Sequence, residues 1–294
     1  MTDTYGGVHA ALVTPMTPEE AVDYPALYRL VHDLIDQGVQ GLVPLGSTGE
    51  YYALDDEERE AVVTTTVAAA AGRVPVWVGA NAGSTRDVIR YCRQAQGLGA
   101  AGVMLAAPYY SLPSPDELWE HFRAVSQAVD ISIMLYNYPG RTGVDMTPEL
   151  VERLAELDNI RYVKESSGDV TRVSEIIRRC GDRMTVFCGC DSLALESFLL
   201  GAAGWVGGVV NVLPREHVEL FELAAKRGDW PAARQLYYRI LPALALMESG
   251  KYTQRVKAGC QLMGRPVGPP RRPLRPLSDE EFEALAVVLR PFQP

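Results

Sequence analysis

Lysine is scarce in this chain. Of 28 cationic residues only four are lysines (Lys164, Lys226, Lys251 and Lys257), which leaves 24 arginines. A GC-rich coding bias accounts for such a split in general. A lysine inside a core-forming segment, where arginine is otherwise preferred, still calls for a chemical reason. Cysteine is sparse as well: five residues at scattered positions, an odd number that forms no disulfide framework. A reduced, cytoplasmic setting is therefore expected. Cys188 and Cys190 form a C-x-C pair, but without a nearby histidine or third cysteine they lack the ligands of a metal site. His9, His32, His121 and His217 are too isolated for a zinc constellation, so no metal is expected. No run approaches eighteen consecutive apolar residues, and the polar stretch Met1–Gly7 has no cationic segment leading into an apolar one. Neither a membrane span nor a signal peptide is expected. Clustered positive charge is missing too. With 28 basic and 37 acidic residues the chain carries a net charge of −9, which argues against nucleic acid or an anionic membrane as partner.

What is present reads as an ordinary soluble protein: 294 residues, 47% hydrophobic and 22% charged. Short apolar or β-branched runs begin near His9, Leu42, Val76, Val103, Ile131, Ile160, Thr185 and Trp205. Amphipathic stretches separate them. Asp55 with Glu58, Ser114 with Glu117, and Ser278 with Glu281 form capping boxes, Thr147-Pro148 is a cap followed by proline, and Gly72, Gly99 and Gly181 close helices. Eight strands alternating with helices, nearly continuous in hydrophobicity, indicate a parallel sheet covered on both faces. Eight units in about 200 residues suit a closed (β/α)8 TIM barrel better than an open sheet. The expected barrel spans residues 1–225 and a small C-terminal helical extension spans 226–294. Helices are expected over 216–228, 230–248, 251–263 and 278–291, interrupted by the Pro/Arg segment Arg265–Pro276. Gly97, Gly99 and Gly102 match G-x-G-x-x-G, but they follow a helix and precede a strand. A dinucleotide fingerprint needs the reverse order, so this is a turn and no nucleotide cofactor is expected.

A barrel places its active site at the carboxyl ends of its strands, which gives weight to polar residues there. The sixth strand ends in Tyr162-Val163-Lys164-Glu165-Ser166, so Tyr162, Lys164 and Ser166 share one face. If that face is the interior, burial favours the neutral amine of Lys164, the form that attacks carbonyls. If not, Lys164 is a strand-end lysine with its head in solvent. The fifth strand ends in Tyr136-Asn137-Tyr138-Pro139-Gly140-Arg141. There a phenol is placed to move protons, and an arginine on a loop stiffened by Pro139 suits bidentate capture of a carboxylate. Each of these residues singly is more often an aromatic rim or a surface arginine. The second strand runs into Gly46-Ser47-Thr48-Gly49-Glu50, where two glycines let backbone N–H groups and two hydroxyls converge on an anion, or simply form a tight turn.

These motifs, Gly41 to Glu50 on the second strand, Tyr136 to Gly143 on the fifth and Val163 to Ser166 on the sixth, resemble the dihydrodipicolinate synthase / N-acetylneuraminate lyase family of class I aldolases. The resemblance extends over Ala107–Tyr110, Gly189–Asp191 and the late helix Val256–Gly264. It implies a Schiff base between Lys164 and pyruvate or another 2-oxo acid, with no cofactor. It further implies Tyr136 as proton donor and acceptor, Ser47 in the proton relay, and Tyr110 contributed to that relay by a neighbouring subunit. Substrate contacts are implied for Thr48, Gly49, Gly189 and Val206, and Arg141 is implied to hold the carboxylate of the second substrate. A homo-oligomer, a dimer of dimers, is implied as well. The chain departs from the family pattern at Tyr162 and Tyr138, which add bulk near the pocket. It departs again at Asp56 and Arg59, which replace the histidines of the lysine-feedback site while Asn81 is retained. Lysine inhibition, and a housekeeping role in lysine synthesis, are therefore not expected.

The leading reading is a Schiff-base lyase or synthase that joins or splits pyruvate and a small carboxylate-bearing aldehyde. The alternatives are a dehydratase or deaminase of a 2-oxo-3-deoxy sugar acid or cyclic imino acid, an N-acetylneuraminate lyase-like aldolase, and a catalytically silent binding barrel. Intact Lys164, Tyr136 and Ser47 argue against the last. Lys226 and Lys251 read as solvated positions in the helical extension and Lys257 lies in the late helix, which leaves Lys164 the only lysine of the barrel. Arginine could not replace it, because a guanidinium stays protonated and forms no imine.

Overall fold

A computed structural model of the chain describes residues 5–293. Eight parallel strands alternate with helices: β1 (Gly7–Ala11), β2 (Gly41–Val43), β3 (Trp77–Gly79), β4 (Gly102–Ala106), β5 (Ser132–Asn137), β6 (Ile160–Glu165), β7 (Thr185–Cys188) and β8 (Gly204–Gly207). They pair in the order β2-β1-β8-β7-β6-β5-β4-β3. A parallel bridge between Leu42 and Val76 closes the ring, with the Gly79 N–H donating to the Pro44 carbonyl at 2.9 Å. The fold is the expected (β/α)8 barrel with a helical extension, and each strand starts within two residues of its apolar run.

The helices start where their caps are. Asp55 and Glu58 bond reciprocally ahead of the helix Asp56–Ala70, and Ser114 with Glu117 and Ser278 with Glu281 do the same for Pro115–Ala128 and Asp279–Leu289. Each reciprocal pair satisfies two backbone N–H groups that a helix start otherwise leaves open. The helix expected over 216–228 differs in detail. It is α-helical over Pro214–Phe221 and widens into a π turn at Glu222–Lys226, where the Arg227 N–H reaches back to the Glu222 carbonyl before the chain reverses at Gly228. The extension continues with helices Trp230–Glu248 and Tyr252–Leu262.

Inside the barrel lies a small core of Ala11, Val43, Trp77, Met104, Met134, Tyr136, Tyr162, Phe187 and Val206, separate from the larger layer between strands and helices. Its rings are accommodated by glycine on the adjacent strand. His9, Trp77 and Phe187 stand in register with Gly41, Gly102 and Gly204, and a Cβ on any of these glycines would come within 2.5 Å of the ring. Tyr162 belongs to this layer. It packs edge-on against Trp77 at 4.8 Å, and its hydroxyl accepts the Tyr5 N–H at 3.3 Å. Its bulk therefore fills the barrel beneath the pocket and does not line the pocket itself.

Candidate active site

The carboxyl ends of the strands open onto a cavity of about 510 Å³. Lys164 rises into it from the barrel interior and is only 5% exposed. Tyr136 is its register partner across β5 and β6, and the lysine Nζ stands 4.3 Å from the centre of the phenol ring. The alternation read from the sequence holds. Tyr162 lies below Lys164 and Ser166 lies above it along the cavity wall, while Val163 packs outward into the layer under the helices.

Behind the lysine, Glu165 anchors the turn. Its carboxylate accepts the Ser167 N–H at 2.6 Å and Asn137 Nδ2 at 3.1 Å. Asn137 also donates to Asp145, which Arg172 grips with two bonds of 2.7 Å. Burial pushes the Glu165 carboxyl above the usual range, against the lowering by these donors. The network fixes the backbone on either side of Lys164 from the outside, so its placement does not depend on the cavity contents.

Gly189 follows β7 at the point of closest approach. A Cβ there would lie 1.8 Å from Ser166 Oγ and 2.8 Å from Lys164 Cγ, so any other residue would push the lysine stem aside. Val206 on β8 is fully buried and lines the same cavity. Ser47 and Thr48 line it from the loop after β2. Gly49 does not. It stands behind them, donating its N–H to the Gly46 carbonyl and accepting from Thr14 Oγ1 at 2.7 Å, so it shapes the turn that presents the two hydroxyls.

Arg141 sits at the rim. The expected loop is instead one helical turn, Pro139–Thr142. Gly140 and Gly143 make the segment read as a loop, but proline at the first helical position is preset for a helix and Gly143, at φ 70°, ends it. The guanidinium carbon lies 5.7 Å from the centre of the Tyr138 ring. Tyr138 lines both this cavity and a smaller one of about 250 Å³, which also shares Ser47, Tyr136 and Arg141. Tyr109 lines the smaller cavity, whereas Tyr110 points away from both. It is 97% exposed on a left-handed backbone with φ 71°.

Several further groups at the site have no role assigned from the sequence. Ser166 Oγ is buried without a hydrogen-bond partner among the described residues. Asp191, buried beside β8, accepts the Trp205 indole N–H at 2.9 Å and the Tyr252 hydroxyl proton. Burial and the neighbouring Glu248 push its carboxyl up to about 7. Tyr252 in turn accepts the Gly208 N–H at 2.9 Å. Lys251 is exposed as expected, and it also stands at the rim of the cavity, donating to the Glu281 carboxylate at 2.6 and 2.8 Å. Strand alternation foretells Ser166, but nothing in the local pattern ties Tyr252 or Lys251 to a site so far upstream. At the positions of the lysine-feedback residues, Asp56 bonds to Arg90 and Tyr91, and buried Arg59 stacks 3.8 Å over the Tyr91 ring.

Comparison with known proteins identifies the family. The model of the dihydrodipicolinate synthetase family matches residues 4–291. The chain belongs to this family. It is 43% identical over 286 residues to a 4-hydroxy-tetrahydrodipicolinate synthase of Sorangium cellulosum, covering 97% of this chain and 95% of that protein. It is 40% identical over 288 residues to the 4-hydroxy-tetrahydrodipicolinate synthase of Pelobacter propionicus, covering 98% and 99%. A crystal structure of the chloride-inhibited dihydrodipicolinate synthase of Acinetobacter baumannii complexed with pyruvate superposes with a TM-score of 0.93 at 35% identity, covering 97% of each chain. The class expected from the strand-end motifs, a Schiff-base lyase of the aldolase type, holds for this family member.

Proposed function

We propose that the chain condenses pyruvate with a small aldehyde bearing a carboxylate, the reaction type of 4-hydroxy-tetrahydrodipicolinate synthase. The observation that carries this reading is the pair Lys164 and Tyr136, face to face in a cavity rimmed by Arg141. The Lys164 amine attacks the keto carbon of pyruvate and water leaves, which forms a protonated imine. That imine draws electrons from the adjacent C–H bond, and loss of the proton gives an enamine carbanion without a metal. Tyr136 moves this proton, and Ser47 passes it on. The hydroxyls of Ser47 and Thr48 hold the pyruvate carboxylate, with Gly49 shaping their turn and Gly189 and Val206 bounding the pocket. The enamine carbon then attacks the aldehyde, whose carboxylate is held by Arg141.

Tyr110 completes the relay from a neighbouring subunit in a homo-oligomer, a dimer of dimers. Its exposure supports this assembly, together with half-exposed Tyr52, Tyr109 and Leu112 around it. A cytoplasmic setting is supported by five cysteines that are all free thiols. Among the described residues no helix is long and apolar enough to cross a membrane.

One observation favours a second reading. The unpartnered Ser166 hydroxyl beside Lys164 offers a bond to a substrate hydroxyl that pyruvate lacks, as in dehydration of a 2-oxo-3-deoxy sugar acid. Product analysis by NMR separates the two. Consumption of pyruvate together with an acidic aldehyde supports condensation, whereas loss of water from a sugar acid with no carbon–carbon change supports the second reading.

A further inference from the structure

We propose that Glu50 and Lys257 are positioning residues of the carboxylate subsite, through which the C-terminal extension sets the place of the Ser47 and Thr48 hydroxyls. This rests on the pyruvate reading above. Lys257 Nζ lies 2.6 Å from Glu50 Oε1, with 1% and 0% of the two side chains exposed. The residues are far apart in sequence: one closes the loop after β2, and the other sits in the helix Tyr252–Leu262.

Both oxygens of the Glu50 carboxylate are used. Oε1 faces Lys257, and Oε2 accepts the Arg271 N–H at 2.8 Å. Lys257 also donates a hydrogen bond to the Pro269 carbonyl at 2.8 Å. One carboxylate thus ties a helix and the segment after it to the loop. Replacing a buried pair of this kind with apolar groups of similar volume is often neutral for stability, because withdrawing two charges from water offsets their attraction. Its distinctive effect here is placement.

The loop transmits that placement. Glu50 has a left-handed backbone, φ 56°, uncommon for a residue with a long side chain. Its N–H donates to the Ser47 carbonyl at 3.2 Å, and the Gly49 N–H donates to Gly46 at 3.0 Å. Moving the Glu50 carboxylate therefore moves the turn that presents Ser47 and Thr48. The same helix grips the opposite wall at its first residue, where Tyr252 bonds Asp191 and Gly208. Gly208 lies against the loop, since a Cβ there would sit 3.0 Å from Thr48 Oγ1. One helix fixes the subsite from two sides.

The test uses the full chain and borohydride trapping of pyruvate on Lys164, read by intact mass as a function of pyruvate concentration. Glu50→Gln alone leaves a buried ammonium without its counter-charge and endangers the fold. The double variant Glu50→Gln with Lys257→Met removes both charges. It is expected to fold, to need about tenfold more pyruvate for half-maximal trapping and to keep kcat at saturating pyruvate within about threefold. A folded double variant with native half-saturation overturns the proposal. Hydrogen exchange on the unaltered chain supplies a readout independent of any variant. After trapping, exchange is expected to slow in residues 46–53 and in residues 252–262 together, and slowing in the loop alone overturns the proposal. Absence of any adduct in the unaltered chain is a different result, and it defeats the pyruvate reading itself.

Discussion

Tyr136 and Lys164 are direct partners across β5 and β6, and the lysine Nζ stands 4.3 Å from the centre of the phenol ring. Both come from rigid parallel strands in the wall of a closed barrel. The geometry of the proposed nucleophile and proton carrier is thus set by backbone register. Sites built on strands hold such distances more tightly than sites built on loops.

Tyr136→Phe keeps the ring beside Lys164 and removes only the hydroxyl. Turnover is expected to fall by about 10²- to 10⁴-fold, the usual range for loss of a general acid or base. The imine with pyruvate is still expected to trap. Steady-state kinetics beside borohydride trapping checks this, and native turnover would remove Tyr136 from the proton path.

Arg141→Ala separates the two substrates. Arg141 is at the rim, whereas Lys164 lies within the barrel mouth. Loss of a charge-assisted pair with the aldehyde carboxylate is expected to lower kcat/KM for that aldehyde by about 10- to 100-fold. Pyruvate trapping is expected to stay native. Equal loss in both assays would count against this role.

Tyr110 is tested by mixing chains. If it acts across a subunit boundary, Tyr110→Phe and Lys164→Arg are each weak alone, but a mixed oligomer contains sites with one intact copy of each residue. Co-refolded mixtures are expected to regain activity that neither variant shows. Additive activity in a confirmed hybrid would place Tyr110 outside the reaction.

Asp191 gives a pH-dependent effect with a defined sign. Burial raises its carboxyl from 3.8 to about 7, aided by Glu248 and opposed by Tyr252, Lys164 and Trp205. The folded state then holds the proton more tightly than the unfolded chain. The stabilising contribution is full below 3.8 and is lost as pH rises through about 7. Melting curves of the wild type and Asp191→Asn are expected to diverge over that window, the wild type losing ground as pH rises. Parallel curves would contradict the shift.

Much of this is legible in the residues alone. Strand positions follow from apolar runs, helix starts from capping boxes, and the shared face of Tyr162, Lys164 and Ser166 from strand alternation. The single helical turn carrying Arg141 is hidden because two glycines surround it. The destination of Tyr162 is hidden for another reason: alternation tells inside from outside, but not how deep along the barrel a ring lies. The least legible part is the extension. Lys251, Tyr252 and Lys257 lie on or beside one helix, yet their partners Glu281, Asp191 and Glu50 come from distant segments. Only the closed tertiary structure brings such pairs together, and helical periodicity does not encode them. The scarcity of lysine gains meaning here. Three of the four are placed at or behind one cavity, Lys164 and Lys257 buried and Lys251 exposed at its rim, and Lys226 lies in solvent away from it.

The central claim is that Lys164 forms an imine with a 2-oxo acid. Borohydride reduction with pyruvate, followed by intact mass and peptide mapping, tests it most directly. The account predicts one reduced pyruvate adduct per chain, mapped to Lys164 and absent in Lys164→Arg. No adduct, or an adduct mapped to Lys226, Lys251 or Lys257 instead, would contradict it.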